Sequence, residues 1–521
     1  MNSDQSAQKA SFKSSVKIQT LRNISSNWFG LGVSLAVTFF LSPFILHRLG
    51  DDAFGLWVLV FSITGYYGLF DLGIRSSVIK YVAKYAATGE YPMLTSLINT
   101  SLFSYGVVAA VLLLITGFGA WQIDSIFHIA PAFLHTARWL FLMVGTSLAL
   151  SFPVSVFSGV LQGLQQYHWL NLIQVASNLL RALLIVLALN RGGGLLTVAM
   201  ITVSLPFLVS CVYILIVHHL IPVSFRIQYV DRRVFRQLIN YGFVTFMIIV
   251  AEKLRFQSDT MVIGIFLSAA SITYFAIGAK LVDYANNVVD AMADTFLPMS
   301  SHFDSTNDWD RMRKLFISGN RACALVIFPI CATLIILGRS IIEAWVGPKY
   351  LSSYAILVLL IVPRTIYRAQ GASTRILFGM ARHKSLAIAV VAEGVVNLFL
   401  SILLIRRFGI IGDAVGTAIP LLCTSLIFLP YYLCRLLRVR FCEFINQSYA
   451  VPVALCVPLV ALMLLMRHLF YAHNYFQLLV QLLAGGIVYA TGLLWYFFTH
   501  EPLGLKLRAR FGGYVEQGLD A

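Results

Sequence analysis

The residues best suited to chemistry are charged side chains that lie inside long apolar segments of the chain. They are Arg181, Lys253, Arg255, Lys280, Arg321, Arg364, Arg368, Arg375, Glu252, Asp259, Asp283, Asp290, Asp294 and Glu393. Each would cost on the order of 3 kcal/mol if it faced lipid at the centre of a bilayer. Together they would exceed the ~5–15 kcal/mol net stability of a typical fold. Most of them must therefore face one another or a water-filled cavity.

Their spacing places these residues on shared helix faces. Positions i, i+3, i+4 and i+7 lie on one side of an α-helix. Five polar stripes follow this rule: Asn171, Gln174, Asn178 and Arg181; Glu252, Arg255 and Asp259; Lys280, Asp283, Asn287, Asp290 and Asp294; Arg364, Arg368 and Arg375; and Glu393 with Asn397. Five predicted helices thus each present one polar face inside an apolar surround.

Three of the arginines have no carboxylate at helical spacing on their own helix: Arg181, Arg364 and Arg368. A guanidinium binds phosphate through two parallel hydrogen bonds and stays charged at every physiological pH. We therefore predict that these three residues line a cationic cavity for an anionic headgroup, with Arg255 and Lys280 as further cations. The alternative is that each has a carboxylate or carbonyl partner on another helix.

The predicted seventh and eighth spans form a hairpin with a tight turn near 267–271. Residues equidistant from such a turn lie at similar depth, which would pair Asp259 with Lys280 and Arg255 with Asp283. These four residues are therefore interpreted either as ion pairs that hold the hairpin together or as part of the cavity.

Two further roles follow from the acidic residues. Protonation of Glu252, Asp283 or Glu393 would couple transport to a proton or sodium gradient. Asp71 and Arg75 are four residues apart near the end of the second span, a spacing typical of a local ion pair, and a gate is the other interpretation. There is no Cys-x-x-Cys pair and no Gly-x-x-x-x-Gly-Lys loop, so we predict neither a metal nor a cofactor.

The elements that position these residues are membrane-spanning helices. Apolar residues make up 59% of the 521 positions and charged residues 12%, whereas soluble domains carry about 25% charged residues. Uncharged runs such as 28–46, 93–123 and 195–217 are long enough to span a bilayer. The sequence predicts an all-α polytopic membrane protein with about 14 spans, and turn residues at 49–52, 190–194, 347–348 and 408–409 separate several of them. The spans lie near 26–46, 53–74, 96–119, 137–160, 168–190, 195–217, 238–263, 272–297, 315–337, 352–380, 385–405, 411–433, 449–469 and 476–499.

The basic residues set the predicted orientation and domains. Lys and Arg are concentrated in alternate loops, which places both termini in the cytoplasm, and this distribution argues against nucleic-acid binding despite a net charge of +16. A long Arg-rich connection follows the sixth span. The predicted segments are a cytoplasmic lead-in, 1–25; two six-helix bundles, 26–222 and 223–440; two additional helices, 441–500; and a cytoplasmic tail, 501–521. Two bundles with a substrate path between them are a known transporter plan.

The region from Ser26 to Glu90 resembles the start of a known transporter family. The residues that carry the resemblance are Phe44-Ile45-Leu46-His47-Arg48-Leu49-Gly50, Ala53-Phe54-Gly55-Leu56-Trp57, Gly68-Leu69-Phe70-Asp71-Leu72-Gly73-Ile74, Ser76-Ser77 and Lys80-Tyr81. They are similar to those of the polysaccharide and O-antigen flippases of the multidrug/oligosaccharidyl-lipid/polysaccharide exporter superfamily. Residues 259–285 are similar to that family's seventh and eighth spans.

This resemblance implies an inner-membrane flippase that works by alternating access. The implied cargo is an oligosaccharide on an undecaprenyl pyrophosphate anchor, and the implied partners are membrane lipid, a polysaccharide polymerase and a chain-length regulator. Two alternatives stay open. A drug/cation antiporter on the same architecture would need an acid-dominated cavity. A membrane-embedded polymerase or glycosyltransferase would need catalytic residues on a sizeable outer loop, and the longest predicted outer loop is 120–136.

Overall fold

The computed structural model describes residues 29–221, 224–256, 258–382 and 384–500. Within the helices, the side chains at 241, 243–245, 247–249, 251, 252, 254–256 and 500 lie outside this description. The predicted lead-in 1–25 and tail 501–521 lie outside it as well. Over the described residues the chain is helical and contains no β-strand.

The chain divides into two compact units, Met1–Ala276 and Ile277–Ala521. The helices that begin in the first unit are α1 Phe29–Leu49, α2 Asp51–Gly65, α3 Ile74–Thr88, α4 Tyr91–Ile126, α5 Leu134–Gly163, α6 Tyr167–Asn190, α7 Leu195–Leu220, α8 Arg232–Phe256, α9 Ser258–Phe266 and α10 Ala269–Ala293. A 3₁₀ helix, Tyr66–Asp71, follows α2.

The second unit contains most of α10 and eight further helices. They are α11 Phe296–Ser305, α12 Trp309–Val346, α13 Ser353–Ala369, α14 Gly371–Gly379, α15 Lys384–Cys423, α16 Leu429–Leu437, α17 Phe441–Leu469 and α18 Tyr475–His500. A π-helical turn, Thr424–Phe428, joins α15 to α16. The predicted bundle boundary at 222/223 stays a prediction, and the compact units divide after Ala276.

Glycines make the turns that the sequence predicted. Gly50, Gly192, Gly347 and Gly409 all have positive φ angles, between 60° and 101°. Only glycine adopts this region without a steric penalty from Cβ. The turns at 49–52, 190–194, 347–348 and 408–409 are thus confirmed, and Gly409 provides the non-helical break inside α15.

The chain is a polytopic all-α membrane protein, as predicted. Ten helical segments of the described residues are long and apolar enough to cross a membrane, or eleven if the bent pair α13 and α14 is one span. The predicted number of 14 spans is not confirmed by this measure. One reason is that α8 and α10 carry the charged and amide side chains that lower hydropathy. The other is that the continuous segment Lys384–Leu437 contains two predicted spans.

Two sets of packed helices position the candidate sites. In the first unit α5 packs against α4, α6 and α7. In the second unit the 38-residue helix α12 packs against α13, α14, α17 and α18. Phe316 of α12 stacks on Phe444 of α17 with ring centroids 4.4 Å apart. Helices α17 and α18 therefore pack against the rest of the second unit through α12.

Candidate functional site

Two aspartates of α10, and a third that directly follows its C-terminal end, pair with three arginines of α13 and α14. The closest contacts are Arg364 Nη1 to Asp283 Oδ1 at 2.6 Å, Arg368 Nη1 to Asp290 Oδ1 at 2.6 Å, and Arg375 Nε to Asp294 Oδ1 at 2.7 Å. Arg375 Nη2 also lies 4.0 Å from Asp290 Oδ1. We call these six residues the Asp–Arg ladder. It joins the second half of α10 and the residue that follows this helix to α13 and α14.

The ladder is more exposed on its acidic side than on its basic side. The Asp283 side chain is 53% exposed, and its partner Arg364 is 7% exposed. Asp294 is 66% exposed, and Arg375 is 20% exposed. Lys280 and Asn287 on the same face of α10 are exposed too. The carboxylates therefore meet solvent along α10, while the guanidinium groups are held beneath them.

Two interpretations were open for Arg364 and Arg368, a cavity lined by cations or a carboxylate partner on another helix, and these contacts support the second. Both arginines have a carboxylate partner on another helix, which is the alternative to a cavity of uncompensated cations. The hairpin interpretation paired Asp283 with Arg255, but Asp283 accepts a hydrogen bond from Arg364. The side chains of Arg255 and Glu252 lie outside the described residues. The pairing of Asp259 with Lys280 stays a prediction.

Glu393 lies in a second polar cluster, on the two arms of α15. Its side chain is 5% exposed. One turn further on, Asn397 Oδ1 accepts hydrogen bonds from Ser401 Oγ at 3.0 Å and from Thr417 Oγ1 at 3.1 Å. The break at Gly409 folds the arms so that these groups meet.

Among the described residues, no three His, Cys, Asp or Glu side chains are arranged to hold a metal ion.

Arg181 lines a separate polar cavity inside the first unit, between α5, α6 and α7. The cavity has a volume of about 220 Å³. Its polar lining consists of Ser151, Ser155, Ser158, Gln174, Ser177, Asn178, Arg181, Thr202, Ser210 and Tyr213. The predicted stripe of α6 therefore does face a cavity, because Gln174, Asn178 and Arg181 all contribute to the lining.

The Arg181 side chain differs from the ladder arginines in its partners. Its Nε atom is buried without a hydrogen-bond partner, as is Thr202 Oγ1 in the same cavity. No carboxylate of the described residues forms an ion pair with Arg181, and no acidic residue lines the cavity. Hydrogen bonds link Gln174 Nε2 to Asn178 Oδ1 at 3.2 Å and Asn178 Nδ2 to Ser34 Oγ at 2.8 Å. The cavity combines one cation with neutral donors and acceptors, which suits an anion that also carries hydroxyl groups.

Asp71 and Arg75 meet through the main chain. The Asp71 carboxylate accepts a hydrogen bond from the Arg75 backbone N–H at 3.1 Å and another from the buried Tyr105 hydroxyl. The Arg75 side chain is exposed. Asp71 thus provides an acceptor for a main-chain N–H in the first turn of α3 that has no partner within the helix, as capping residues do. The gate interpretation stays a prediction.

Sequence reasoning missed two sets of residues. Asp413 is fully buried in α15, but it stands at the edge of a predicted span and was not counted among the intramembrane charges. The hydroxyl groups of the Arg181 cavity were missed because single serines are common in membrane helices. The spacing of Ser151, Ser155 and Ser158 at i, i+4 and i+7 was the signal that could have identified them.

Known proteins resemble the chain over most of its length. The uncharacterized membrane protein EpsK of Bacillus subtilis is 22% identical over 418 residues, which cover 80% of this chain and 83% of that protein. The putative O-antigen transporter of Shigella flexneri is 20% identical over 422 residues, which cover 78% and 96%. The lipid II flippase MurJ in an inward closed conformation has the same fold, with a TM-score of 0.69 and 17% identity over 92% of this chain and 99% of that chain.

A family model described as polysaccharide biosynthesis protein matches residues 20–304. This match contains helices α1 to α10, with all the charged residues of α10. It confirms the family resemblance that the sequence indicated. Because the match spans more than half of the 521 residues, the chain belongs to the polysaccharide biosynthesis protein family.

Proposed function

We propose that the protein is a flippase that moves a lipid-linked oligosaccharide from the inner to the outer leaflet of the cytoplasmic membrane, for the synthesis of a cell-surface polysaccharide. The observation that carries this proposal is Arg181, a cation that lines a polar cavity and forms no ion pair with a carboxylate of the described residues. Family membership and the similarity to a protein described as a putative O-antigen transporter support it. The anionic part of the cargo would be its pyrophosphate.

Arg181 would bind a phosphate, because charge-assisted bonds to a guanidinium are stronger than neutral hydrogen bonds. The hydroxyl and amide groups around it would bind hydroxyl groups of the adjoining sugar. Arg364 and Arg368 would take part by exchange, with the phosphate replacing Asp283 or Asp290 as the partner. Lys280 and Arg255 would add positive charge. The exchange explains how buried arginines could serve a transported anion and remain compensated when it leaves.

The same exchange offers a way to couple transport to an ion gradient. Protonation of Asp283 would weaken its bond to Arg364 and make the guanidinium available to cargo. Glu393 and Glu252 are the other acids proposed for coupling. The membrane potential favours the outward step, since each negative charge that leaves a negative interior gains about 2.3 kcal/mol per 100 mV crossed. Alternating access between the bundles 26–222 and 223–440, with Asp71 and Arg75 at a gate, would complete the cycle.

The described acids argue against cationic cargo. An antiporter of cationic drugs needs carboxylates that are available to a cation, whereas Asp283, Asp290 and Asp294 each contact an arginine. The described residues that line the Arg181 cavity include no acid. Both observations favour an anionic substrate over the drug/cation antiporter that the sequence left open.

With both termini in the cytoplasm, a polymerase and a chain-length regulator would act on the product at the outer face.

Reconstitution in liposomes tests the proposal directly. Vesicles would contain a fluorescent polyprenyl-pyrophosphate sugar, and the measured quantity is the rate at which it becomes accessible to an external quencher. We expect Arg181→Gln to slow flipping at least about tenfold, because a bond to a charged group contributes about 1.5–3 kcal/mol. Arg407→Gln is the matched control, since Arg407 is exposed beside the break in α15. Equal rates for the two variants would remove Arg181 from the path, and no flipping by the unmodified protein would contradict the function.

A further inference from the structure

A second cavity lies where two irregular helix segments of the second unit meet. Helices α13 and α14 are bent by 46° relative to each other at Gln370. Gln370 Nε2 donates a hydrogen bond of 2.6 Å to the main-chain oxygen of Ser425, which is in the π-helical turn. The cavity beside this contact has a volume of about 170 Å³. We call it the bend cavity. Turns of π-helix are often found at functional sites.

The polar atoms of the bend cavity are buried without partners. Gln370 is 3% exposed and Ser425 is fully buried. Gln370 Oε1, Ser425 Oγ and the Tyr449 hydroxyl all lack a hydrogen-bond partner among the described residues, and all three side chains line the cavity. A buried polar group without a partner costs about 1–3 kcal/mol. Three such groups around one space indicate that the space receives a molecule that can bond to them.

The rest of the lining defines the chemistry of that molecule. It consists of apolar side chains such as Phe328, Ile366 and Phe444, and none of the lining residues is charged. A carboxylate or phosphate would be buried there without a counter-charge, which is costly. A neutral hydroxyl fits, because it can donate to Gln370 Oε1 and accept from Ser425 or Tyr449.

An apolar groove continues from the bend cavity along α17. Ile445 and Tyr449 line both spaces, and the groove extends between Phe441 and Val453. The cavity itself holds about six water volumes at roughly 30 Å³ each. This is room for a small head and the first carbons of a chain, and the groove can take the remainder. An apolar pocket with a few convergent polar groups is typical of ligand sites.

We propose that the bend cavity and the α17 groove bind a neutral lipid with a hydroxyl head. The hydroxyl donates to Gln370 Oε1 and accepts from the Tyr449 hydroxyl, because Tyr449 lines both the cavity and the groove, and the chain lies along α17. Since Gln370 separates Arg364 and Arg368 of α13 from Arg375 of α14, a bound lipid stabilises the bend at which the Asp–Arg ladder is assembled. The site is distinct from the Arg181 cavity and does not depend on the identity of the cargo.

Photolabelling of the purified full-length protein tests this site. The probe is 1-hexadecanol with a diazirine in its chain, and the matched probes are its methyl ether and the corresponding hexadecanoic acid. We expect the alcohol to label peptides from 425–430 and 441–453, and unlabelled hexadecanol to compete. Tyr449→Phe and Gln370→Met should each weaken this labelling roughly threefold to tenfold, the effect of one lost neutral hydrogen bond. Tyr431→Phe is the control, because Tyr431 is exposed and outside the cavity.

Three outcomes would overturn the proposal. They are equal labelling by the alcohol, the ether and the acid; labelling by the alcohol that Tyr449→Phe leaves unchanged; and labelling confined to other peptides, which would mean that the cavity holds water. If Gln370→Met fails to fold, Tyr449→Phe decides the question by itself, because it keeps the ring and removes only the hydroxyl.

Discussion

Two aspartates four residues apart, Asp290 in α10 and Asp294 just after its C-terminal end, offer a direct test of the ladder. Asp290 contacts two arginines, Arg368 at 2.6 Å and Arg375 at 4.0 Å, and its side chain is 30% exposed. Among the described residues, Asp294 forms an ion pair with Arg375 only, and its side chain is 66% exposed. The substitutions Asp290→Asn and Asp294→Asn each remove one negative charge, at positions four residues apart in the chain. They differ in the number of guanidinium groups affected and in how well water can replace the lost carboxylate.

The expected magnitudes follow from burial. Removing one partner of a buried pair costs about 3–5 kcal/mol, because the other charge stays buried without compensation. Asp290 is partly exposed, so we expect the low end, about 3 kcal/mol. An exposed pair contributes about 0–1 kcal/mol, so Asp294→Asn should cost about 1 kcal/mol or less. The measured quantity is the melting temperature of each purified variant in the same detergent, with tryptophan fluorescence as the signal for unfolding. The decrease in melting temperature for Asp290→Asn should be about three times the decrease for Asp294→Asn.

The double variant Asp290→Asn/Arg368→Gln supplies the control. It removes the cation together with its principal carboxylate, and it should recover part of the stability lost in Asp290→Asn. Recovery would show that the uncompensated guanidinium causes the loss. Equal melting temperatures for the two single variants, or a larger loss for Asp294→Asn, would refute the assignment of Asp290 as the shared acid of the ladder.

Two further outcomes are expected. Gly73 has a φ of 71°, and a Cβ built there lies 2.0 Å from the carbonyl oxygen of Gly242, so Gly73→Ala should lower the melting temperature by several degrees. Gly50→Ala, at a φ of 80° with no atom within 4 Å of the added Cβ, should lower it less, and similar losses would show that backbone strain rather than the contact matters. In the liposome assay, Glu393→Gln should keep downhill flipping but lose its dependence on an imposed proton or sodium gradient. Retained dependence on both gradients would exclude Glu393 from coupling.

The parts of the fold that depend on local chemistry were predictable from the sequence. The turn glycines were correctly placed, because glycine has no Cβ and adopts a positive φ without a steric penalty. The polar face of α10 was also correct, since Lys280, Asp283 and Asn287 are all exposed, as helical periodicity requires. The amphipathic helix α3 was not predictable in the same way, because the sequence between the predicted spans 53–74 and 96–119 is too short and too polar to resemble a span.

The partners of the charged residues were not predictable. Asp283 and Arg364 are 81 positions apart in the chain, and the register of α10 against α13 depends on the packing of both helices against their neighbours. Depth relative to the 267–271 turn could only suggest partners within one hairpin. The unsatisfied atoms of the bend cavity were hidden for the same reason, because Gln370, Ser425 and Tyr449 lie on three separate elements.

The distribution of compensated and uncompensated charge has a consequence for selectivity. At the ladder an arriving phosphate has to displace an aspartate, so it gains only the difference between two charge-assisted bonds to the same arginine. At Arg181 no carboxylate of the described residues has to be displaced, and the phosphate gains the full bond less the cost of its own desolvation. Under the proposed function, Arg181 therefore sets most of the affinity for the anionic head, whereas the ladder sets how readily the anion is released. Variants at Arg181 should then change the cargo concentration needed for half-maximal flipping. Variants at Asp283 should mainly change the maximal rate.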